Sequence, residues 1–153
     1  EARNKGVELD VAGEVLPGLD VIATYAYTDS EITQMNDGTI GNRFPNVPKH
    51  AGSLWTTYRF QEPRLQGWKV GAWLVARGER QGNRENDYQM PGYVLVNLMA
   101  SYTMHVGATR LTAQVNVDNL LGQEYFPSSA GFGRGRIDIG TPRFFLGSLK
   151  MEF

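Results

Sequence analysis

Few residues of this chain have types and spacings that could carry out chemistry. The two histidines, His50 and His105, lie far apart in the sequence, and there is no cysteine. A thiolate zinc site, a cysteine nucleophile and a disulfide framework are therefore excluded. Hydrolysis would require a serine and an acidic group coupled to a histidine, and no serine or aspartate is clearly coupled to His50. The sequence predicts neither a metal site nor a catalytic dyad.

The glycine- and arginine-rich stretch Gly131–Arg136 has the composition of a phosphate-binding loop. Loops of that kind follow a buried parallel strand and open a helix, and neither pattern flanks this stretch. We interpret it as an external loop whose glycines give flexibility. Arg134 and Arg136 could form forked hydrogen bonds with carboxylate-like oxygens of an anionic ligand. The alternative is that they are loop charges facing solvent or lipopolysaccharide.

The elements that position these residues are strands with a strict alternation of apolar and polar side chains. In the last one, Phe145, Leu149, Met151 and Phe153 share one face, while the opposite face becomes charged. The segments are about ten residues or longer, as a membrane-crossing strand requires, whereas globular strands are nearer ~5–6 residues. This pattern is typical of a strand between lipid and water. The segments are residues 7–15, 19–28, 52–60, 68–77, 94–103, 110–118 and 143–153.

The connections between these segments alternate between short and long. Residues 16–18, 61–67 and 105–108 form short connections, whereas residues 30–49, 81–92 and 119–142 form long ones. Outer-membrane barrels have short periplasmic turns and long external loops. A soluble sandwich has no reason to sort its loops in this way. The sequence predicts an all-β, antiparallel, up-and-down transmembrane barrel, with the start of the third long loop capped by an Asx-type turn at Asp118–Asn119.

Aromatic residues of the apolar face lie near the two ends of the strands, and aliphatic residues lie between them. Such girdles are selected by the two headgroup zones of a membrane. The alternative, a packed sandwich core, would not keep aromatics at both rims. The predicted girdle residues are Tyr25, Tyr27, Phe60, Trp68, Tyr102, Phe145 and Phe153.

The polar face carries too many charges for a dry interior, because unpaired buried charges are very costly. It must therefore face water or a polar plug. We predict that its large residues contact a plug, with a substrate path as the alternative. These lumen-facing residues are Trp55, Arg59, Trp73, Arg77 and Arg110.

Composition and topology limit the partners of the chain. Its formal net charge of −1 provides no basic field for nucleic acid, and no apolar run approaches the ~20 residues of a membrane helix. An open sheet would leave backbone groups unpaired in lipid. We therefore expect further strands upstream and do not expect these residues to fold alone.

Several loop sequences resemble those of TonB-dependent outer-membrane receptors. The run V-N-V-D-N-L-L-G-Q-E-Y-F at Val115–Phe126 resembles their penultimate strand and loop entry. G-T-P-R at Gly140–Arg143 is similar to the start of their last strand, with threonine in place of alanine. F-P-N-V-P-K-H at Phe44–His50, S-L-W-T-T-Y at Ser53–Tyr58 and P-G-Y at Pro91–Tyr93 match in the same order.

The resemblance implies a barrel of about 22 strands around an amino-terminal plug, which takes up ferric siderophores with energy supplied through TonB. Residues 1–153 would be the carboxy-terminal portion, with its last seven strands, and Gly131–Arg143 is similar to the catecholate-type branch. The plug and the TonB-contacting segment would lie outside this chain. The partners implied are outer-membrane lipid, lipopolysaccharide and, through Phe153, the barrel-assembly machinery. No cofactor is implied, since the ferric siderophore is cargo.

Loop residues are the candidates for recognition of that cargo, through aromatic stacking and arginine contacts. Tyr125 and Phe126 are predicted instead to anchor their loop to the rim. Three other functions remain as alternatives: an outer-membrane lipase or protease, a structural or adhesive barrel of about eight strands, and a soluble ligand-binding domain. The predicted ligand-contacting residues are Arg43, Phe44, Arg84, Tyr88, Phe132, Arg134 and Arg136.

Overall fold

The computed structural model describes residues 1–133 and 135–153, so Arg134 lies outside the described residues. Seven long strands form one antiparallel sheet, and two short strands form a separate hairpin. Within these residues the helical element is one 3₁₀ turn, Pro63–Leu65. No helix of the described residues is long and apolar enough to cross a membrane. The strands are β1 (Ala2–Leu16), β2 (Leu19–Ile32), β3 (His50–Arg59), β4 (Trp68–Arg77), β5 (Arg80–Gln81), β6 (Gln89–Met90), β7 (Tyr93–Val106), β8 (Thr109–Asp118) and β9 (Phe144–Glu152).

The sheet is an up-and-down meander in the order β1-β2-β3-β4-β7-β8-β9. Every long strand pairs with its neighbour in the sequence, as in an outer-membrane barrel. The β5–β6 hairpin lies within the second long connection. The seven strands are nine to fifteen residues long, which suits a crossing of the hydrocarbon layer. The all-β, antiparallel prediction is confirmed, and β1 and β9 are the two edges of the described sheet.

The register keeps the alternating pattern in phase across the whole sheet. One row of directly paired residues, for example, runs Leu9, Tyr25, Gly52, Ala76 and Val94, all from the predicted outer face. A slip of one residue would move a strand's entire apolar set to the other face. The same phase continues through β8 and β9. The predicted division into an apolar and a polar face is therefore confirmed on all seven strands.

The sheet does not bury its apolar face against protein. In the part of the chain that the structure describes, the buried hydrophobic residues are Ile32 and Met90, both near the long connections. Phe145 and Leu149, in contrast, are 70% and 62% exposed on the apolar face. A water-soluble sheet would cover such a face with a second layer. This face requires lipid, which argues against the soluble alternative.

Three strands extend at one end by three or more residues beyond the predicted segments. β1 begins at Ala2, β2 continues to Ile32 and β7 continues to Val106. The extensions of β1 and β2 carry charges instead of alternating apolar residues, and an Arg3–Glu31 ion pair joins them. On β1 and β2 the backbone ladder continues where the apolar band has ended, so the alternation could not reveal it. On β7, Met104 and Val106 continue the alternation in phase with Tyr102. The first long connection is therefore residues 33–49, not 30–49.

The interlocked external loops and the inner wall

The three long connections lie at the same end of the strands and are joined to one another by side-chain hydrogen bonds. We call residues 33–49, 78–92 and 119–143 the loop cap. Asn46 Oδ1 accepts hydrogen bonds from Ser129 N (2.8 Å) and Ser129 Oγ (3.1 Å), while Asn46 Nδ2 donates to Ser129 O (3.1 Å). Asn46 N also donates to Gln81 O at 2.9 Å. One asparagine thus joins the first connection to both of the others.

A second asparagine makes a similar clamp between the first two connections. Asn86 Oδ1 accepts from Arg43 N and Asn86 Nδ2 donates to Arg43 O, both at 2.9 Å. Asn42 Nδ2 donates to Arg84 O at 2.8 Å. Asn46 and Asn86 have φ values of 64° and 56°, in the left-handed region where asparagine is enriched. Each of these two asparagine side chains accepts from the backbone N–H of one residue and donates to its C=O, as a paired backbone segment would.

The base of the third connection is fixed by a buried arginine. Arg80 is 2% exposed and lies over the Tyr93 ring, 5.3 Å from its centroid. Its Nη2 donates to Phe126 O, and the Tyr93 and Tyr125 rings have centroids 4.7 Å apart. Burial lowers the pKa of the Arg80 guanidinium, which remains charged at neutral pH. The anchoring role predicted for Tyr125 is confirmed by its ring contact with Tyr93, whereas Phe126 takes part through its backbone carbonyl and the role of its ring stays a prediction.

Asn119 holds the two ends of the third connection together. Its Oδ1 accepts from Gln123 N (2.9 Å), and its Nδ2 donates to Gln123 O (2.8 Å) and Thr141 O (3.1 Å). Asn119 N donates to Asn97 Oδ1 at 2.8 Å. The strand end is capped, as predicted, but through a bond to the residue four positions on, not the two positions of an Asx turn.

Some predicted ligand-contacting residues are already used in holding the loop cap together. Tyr88 Oη donates to Gly82 O at 3.0 Å, and its ring lies so close to Gly82 that a Cβ there would be 1.9 Å from it. Arg43 is half-buried, its backbone is held by Asn86, and its Nη2 lies 3.4 Å from Val47 O. Arg84 is also half-buried. Whether these three contact a ligand stays a prediction.

Other predicted residues are free for contact at the surface of the loop cap. Phe132 is 67% exposed, and Phe44 is 36% exposed. Arg136 is exposed and donates from Nε to Asp138 Oδ1 at 3.1 Å. Arg134 lies outside the described residues. Ser128 Oγ donates to Asp138 Oδ2 at 2.5 Å, and this bond, followed by the Arg136 contact, lowers the pKa of the Asp138 carboxyl.

The predicted lumen-facing residues share the polar face of the sheet, here called the inner wall. Trp55 and Trp73 are directly opposite each other, with ring centroids 5.7 Å apart. Each is 37% exposed. Arg59 Nη2 lies 3.6 Å from Asp20 Oδ2. Arg77 and Arg110 belong to the same face by strand phase. The placement agrees with the prediction, while contact with a plug remains a prediction.

The predicted girdle residues within the strands lie on the opposite, apolar face, while Phe60 and Phe153 follow the last residues of β3 and β9. Their contact with lipid headgroups stays a prediction. Trp68 and Tyr102 are paired across β4 and β7, with ring centroids 5.1 Å apart. At the long-loop end, Tyr25 Oη lies 2.8 Å from His50 Nδ1, and the Tyr27 and His50 rings are 5.3 Å apart. His50 therefore joins this aromatic group. The period-two phase of β3 could have shown that, since His50 is two residues before Gly52 of the same face.

Sequence reasoning missed the residues that lock the loop cap: Asn46, Asn86, Arg80 and Ser129. A weak signal was present, because asparagines recur in the first two long connections and Asn46 follows Phe44-Pro45. Asparagine tolerates the left-handed region and bonds locally to backbone. The partners could not be predicted, because Asn46 and Ser129 are 83 positions apart.

The structure is an antiparallel meander with one apolar face that needs lipid and with long loops at one end of its strands. This architecture has clear relatives. The family model "TonB dependent receptor-like, beta-barrel" matches residues 1–120. The metal-pseudopaline receptor CntO of Pseudomonas aeruginosa is 36% identical over 154 residues, which cover 100% of this chain and 21% of CntO. The crystal structure of BauA, the ferric preacinetobactin receptor of Acinetobacter baumannii, has a TM-score of 0.88 at 25% identity, covering 99% of this chain and 22% of BauA. The crystal structure of the siderophore receptor PiuA from the same organism has a TM-score of 0.79 at 30% identity, covering 99% of this chain and 22% of PiuA.

The chain belongs to the TonB-dependent receptors, as a part of their outer-membrane β-barrel. It spans about a fifth of the length of the curated relatives it matches (21% for CntO). The resemblance noted in the sequence is thus confirmed. The relatives' names cover different cargoes, including metal-pseudopaline, ferrichrome and ferrioxamine B, so assignment to a catecholate branch stays a prediction.

Proposed function

We propose that this chain supplies wall and external loops of an outer-membrane receptor for energy-coupled uptake of a ferric siderophore. The observation that carries the proposal is the loop cap, in which three long connections are held in one arrangement by buried side-chain bonds. Arg80, Asn83, Asn119 and Ser129 are all less than 10% exposed there. Such preorganisation reduces the ordering cost of binding.

The surface of the loop cap has the chemistry that a large, partly anionic metal chelate would require. Phe132 and Phe44 offer rings for stacking, and Arg136, four positions after Phe132, offers a charged donor. Relatives named as receptors for metal-pseudopaline and ferric preacinetobactin support a metal complex as the cargo. The metal arrives and leaves with its chelator, so the receptor needs no cofactor of its own.

The same proposal makes the chain a transporter part and not an enzyme. Relatives of the chain are named as receptors and transporters. Its two histidines lie in separate surroundings: His50 packs against Tyr25 and Tyr27, and His105 on β7 is directly opposite Arg110 on β8. Further partners in this proposal are TonB, lipopolysaccharide around the strands and the barrel-assembly machinery at Phe153.

The test is uptake of radioactive iron by cells that produce the full-length protein carrying this chain and lack their own siderophore receptors. A panel of hydroxamate, catecholate and carboxylate siderophores identifies the cargo. Phe132→Ala and Arg136→Gln should raise the half-saturating concentration several-fold. Phe145→Leu, on the lipid face, is the matched control and should leave uptake unchanged at equal surface amounts.

Two results would contradict the proposal in different ways. If no chelate of iron or another transition metal is taken up by the parent protein, siderophore transport is wrong. If transport occurs but neither Phe132→Ala nor Arg136→Gln alters saturation, recognition does not use this part of the loop cap.

A further inference from the structure

Next to the loop cap, the inner wall contains two adjoining hollows that share three lining residues. The lower hollow, of ≈ 120 Å³, lies on the strands, and the upper hollow, of ≈ 190 Å³, reaches the third long connection. The shared residues are Trp73, Asn97 and Asp118. We call the two hollows together the tryptophan–aspartate pocket. Among the described residues, no lysine, arginine or histidine lines either hollow.

The strand register explains why a hollow forms at this position. Trp55 on β3 is paired with Trp73 on β4, and Trp73 is paired with Asn97 on β7. The ladder between β7 and β8 then places Asp118 beside Asn97. Adjacent strands are ~4.8 Å apart, so the backbones of Trp73 and Asp118 are separated by roughly 10 Å, with a short asparagine between them.

The asparagine leaves this space open because its side chain is held against the backbone. Asn97 is 9% exposed, its Oδ1 accepts from Asn119 N at 2.8 Å, and its Nδ2 donates to Trp73 O at 3.4 Å. In the next row, Gly71 has no side chain, and a Cβ there would lie 3.0 Å from Met99 Cγ. The lower hollow is therefore fixed by the fold.

The two tryptophans form an aromatic wall on one side of the lower hollow. Their ring centroids are 5.7 Å apart, and the ring planes are inclined at 52°. A cation is attracted to the face of a tryptophan ring when it lies within about 6 Å of the ring centroid. A group seated between rings at this spacing is within that distance of both.

On the other side of the lower hollow lies a carboxylate without a partner. Asp118 is half-buried. Among the described residues, its carboxylate has neither an ion pair nor a side-chain hydrogen bond. A carboxylate that loses water without gaining a partner is energetically costly. Asp118 therefore favours a positively charged group in the pocket.

The cations of the surrounding strands do not supply that group. Lys69 and Arg77, the two cations of β4, are each four positions from Trp73, which corresponds to roughly 13 Å along the strand. Arg143, just before β9, donates from Nη1 to Leu120 O at 3.2 Å. The positive charge that the pocket favours must come from a ligand.

The upper hollow is lined mainly by apolar and aromatic side chains. It extends from Trp73 and Asp118 towards the base of the third long connection. A hydrocarbon chain that enters from the loop cap gains free energy by burying its carbons here, while its end reaches the lower hollow. The apolar and aromatic lining residues are Val75, Leu95, Tyr125, Pro142 and Phe144.

The volumes limit the size of the ligand. A water molecule takes ≈ 30 Å³ of the liquid, so the lower hollow has room for about four non-hydrogen atoms and the upper hollow for about six. A whole metal chelate is too large for either hollow. An ammonium group on a short carbon chain fits.

We infer that the tryptophan–aspartate pocket binds an alkylammonium group, with its nitrogen between the indole rings and Asp118 and its carbon chain in the upper hollow. The amine can be the end of a cargo molecule held by the loop cap, or it can belong to a free polyamine. The recognising chemistry is the same in both cases. The inference depends on the polar face being the barrel interior, and it does not depend on the cargo being a siderophore.

The test is fluorine NMR of the full-length protein in lipid nanodiscs, with fluorotryptophan in place of tryptophan. Trp55→Phe and Trp73→Phe assign the two resonances, because each variant lacks one of them. The probe is n-butylammonium, with n-butanol and butyrate as neutral and anionic probes of the same length. Both resonances should shift and saturate with n-butylammonium. The other two probes should need concentrations about tenfold higher or more, because the rings and the carboxylate attract a cation.

Two isosteric substitutions show whether the carboxylate of the pocket is responsible. Asp118→Asn keeps the shape of the side chain but removes its charge, and it should raise the half-saturating concentration of n-butylammonium about tenfold. Asp20→Asn is the matched control on the same wall, because that carboxylate already has Arg59 at 3.6 Å. It should leave the titration unchanged. Spectra recorded without the probe check that both variants fold like the parent protein.

The inference is wrong if n-butylammonium produces no saturable shift of either resonance, or if n-butanol has the same effect. Occupation of the pocket by residues outside 1–153 would give the first of these results. The inference is equally wrong if Asp118→Asn and Asp20→Asn titrate alike.

Competition with n-butylammonium then identifies the source of the amine. If the cargo supplies it, a ferric trihydroxamate that ends in a free amine should displace the probe, and its N-acetylated form should not. If a free polyamine supplies it, spermidine should displace the probe and neither chelate should do so. None of these titrations requires transport, so failure of siderophore uptake would leave their results unaffected.

Discussion

Replacing Asn46 by alanine should break the side-chain link between the first and third long connections, while Arg80 still holds the third connection to the second. The substitution removes the side chain that accepts from Ser129 N at 2.8 Å and donates to Ser129 O at 3.1 Å. Ser129 is 9% exposed, so water does not readily replace these partners. Backbone groups left unsatisfied in buried positions cost ~1–3 kcal/mol each.

The change in the free energy of local opening is the sum of two contributions. Loss of the two hydrogen bonds to Ser129 leaves two backbone groups unsatisfied, and at little more than 1 kcal/mol for each group the cost is about 2–3 kcal/mol. Asn46 also has φ of 64°, where alanine is less favourable by about 1 kcal/mol or more. Local opening should therefore become easier by about 3–4 kcal/mol in Asn46→Ala. At ~1.4 kcal/mol per tenfold change, exchange of the Ser129 amide should accelerate by a factor of at least about one hundred.

The assay is hydrogen exchange of the full-length protein in lipid nanodiscs, read from peptides that contain Ser129. Asn46→Gly is the matched control, because glycine tolerates the left-handed conformation but lacks the amide. It should show the loss of the two bonds without the conformational cost and so exchange several-fold more slowly than Asn46→Ala. Unchanged protection of Ser129 in Asn46→Ala would refute the clamp, whereas equal rates in both variants would refute the conformational contribution.

Three further predictions concern the loop cap and the lipid face. Arg80→Lys should weaken the base of the third connection by about 1–3 kcal/mol, because ammonium lacks the planar donor array that reaches Phe126 O; faster limited proteolysis within residues 119–142 would show it. The pKa of Asp138 is lowered in the folded state by the Ser128 hydroxyl, so its stabilisation is complete above the unfolded pKa of about 3.9 and disappears as pH falls through the lower folded value. Exchange near Ser128 should then rise below about pH 4 in the parent protein, and Asp138→Asn should abolish that pH dependence. Leu98→Arg, on the apolar face, should destabilise the full-length barrel in liposomes by about 2–4 kcal/mol, whereas Leu98→Met should be nearly neutral in urea unfolding.

The sequence alone determined the fold class, the strand order and the face of each strand. Trp55 and Trp73 were assigned to one face from their positions, and the register places them opposite each other. The reason is that selection by lipid and water repeats every two residues along each strand. The alternation is a local signal that occurs on all seven long strands. A wrong face assigned to one strand would therefore have disagreed with the faces of the strands paired with it.

The tertiary structure decided which loop residues are available and how the wall charges are paired. Tyr88 and Phe132 look equivalent in the sequence, yet Tyr88 covers Gly82 and Phe132 is exposed. Asn46 reaches a partner 83 positions away, and the opposition of Arg59 and Lys69 appears only when strands pair. Long-range contacts of this kind follow from how the loops and strands meet in space, a property that no periodic pattern within a single segment encodes.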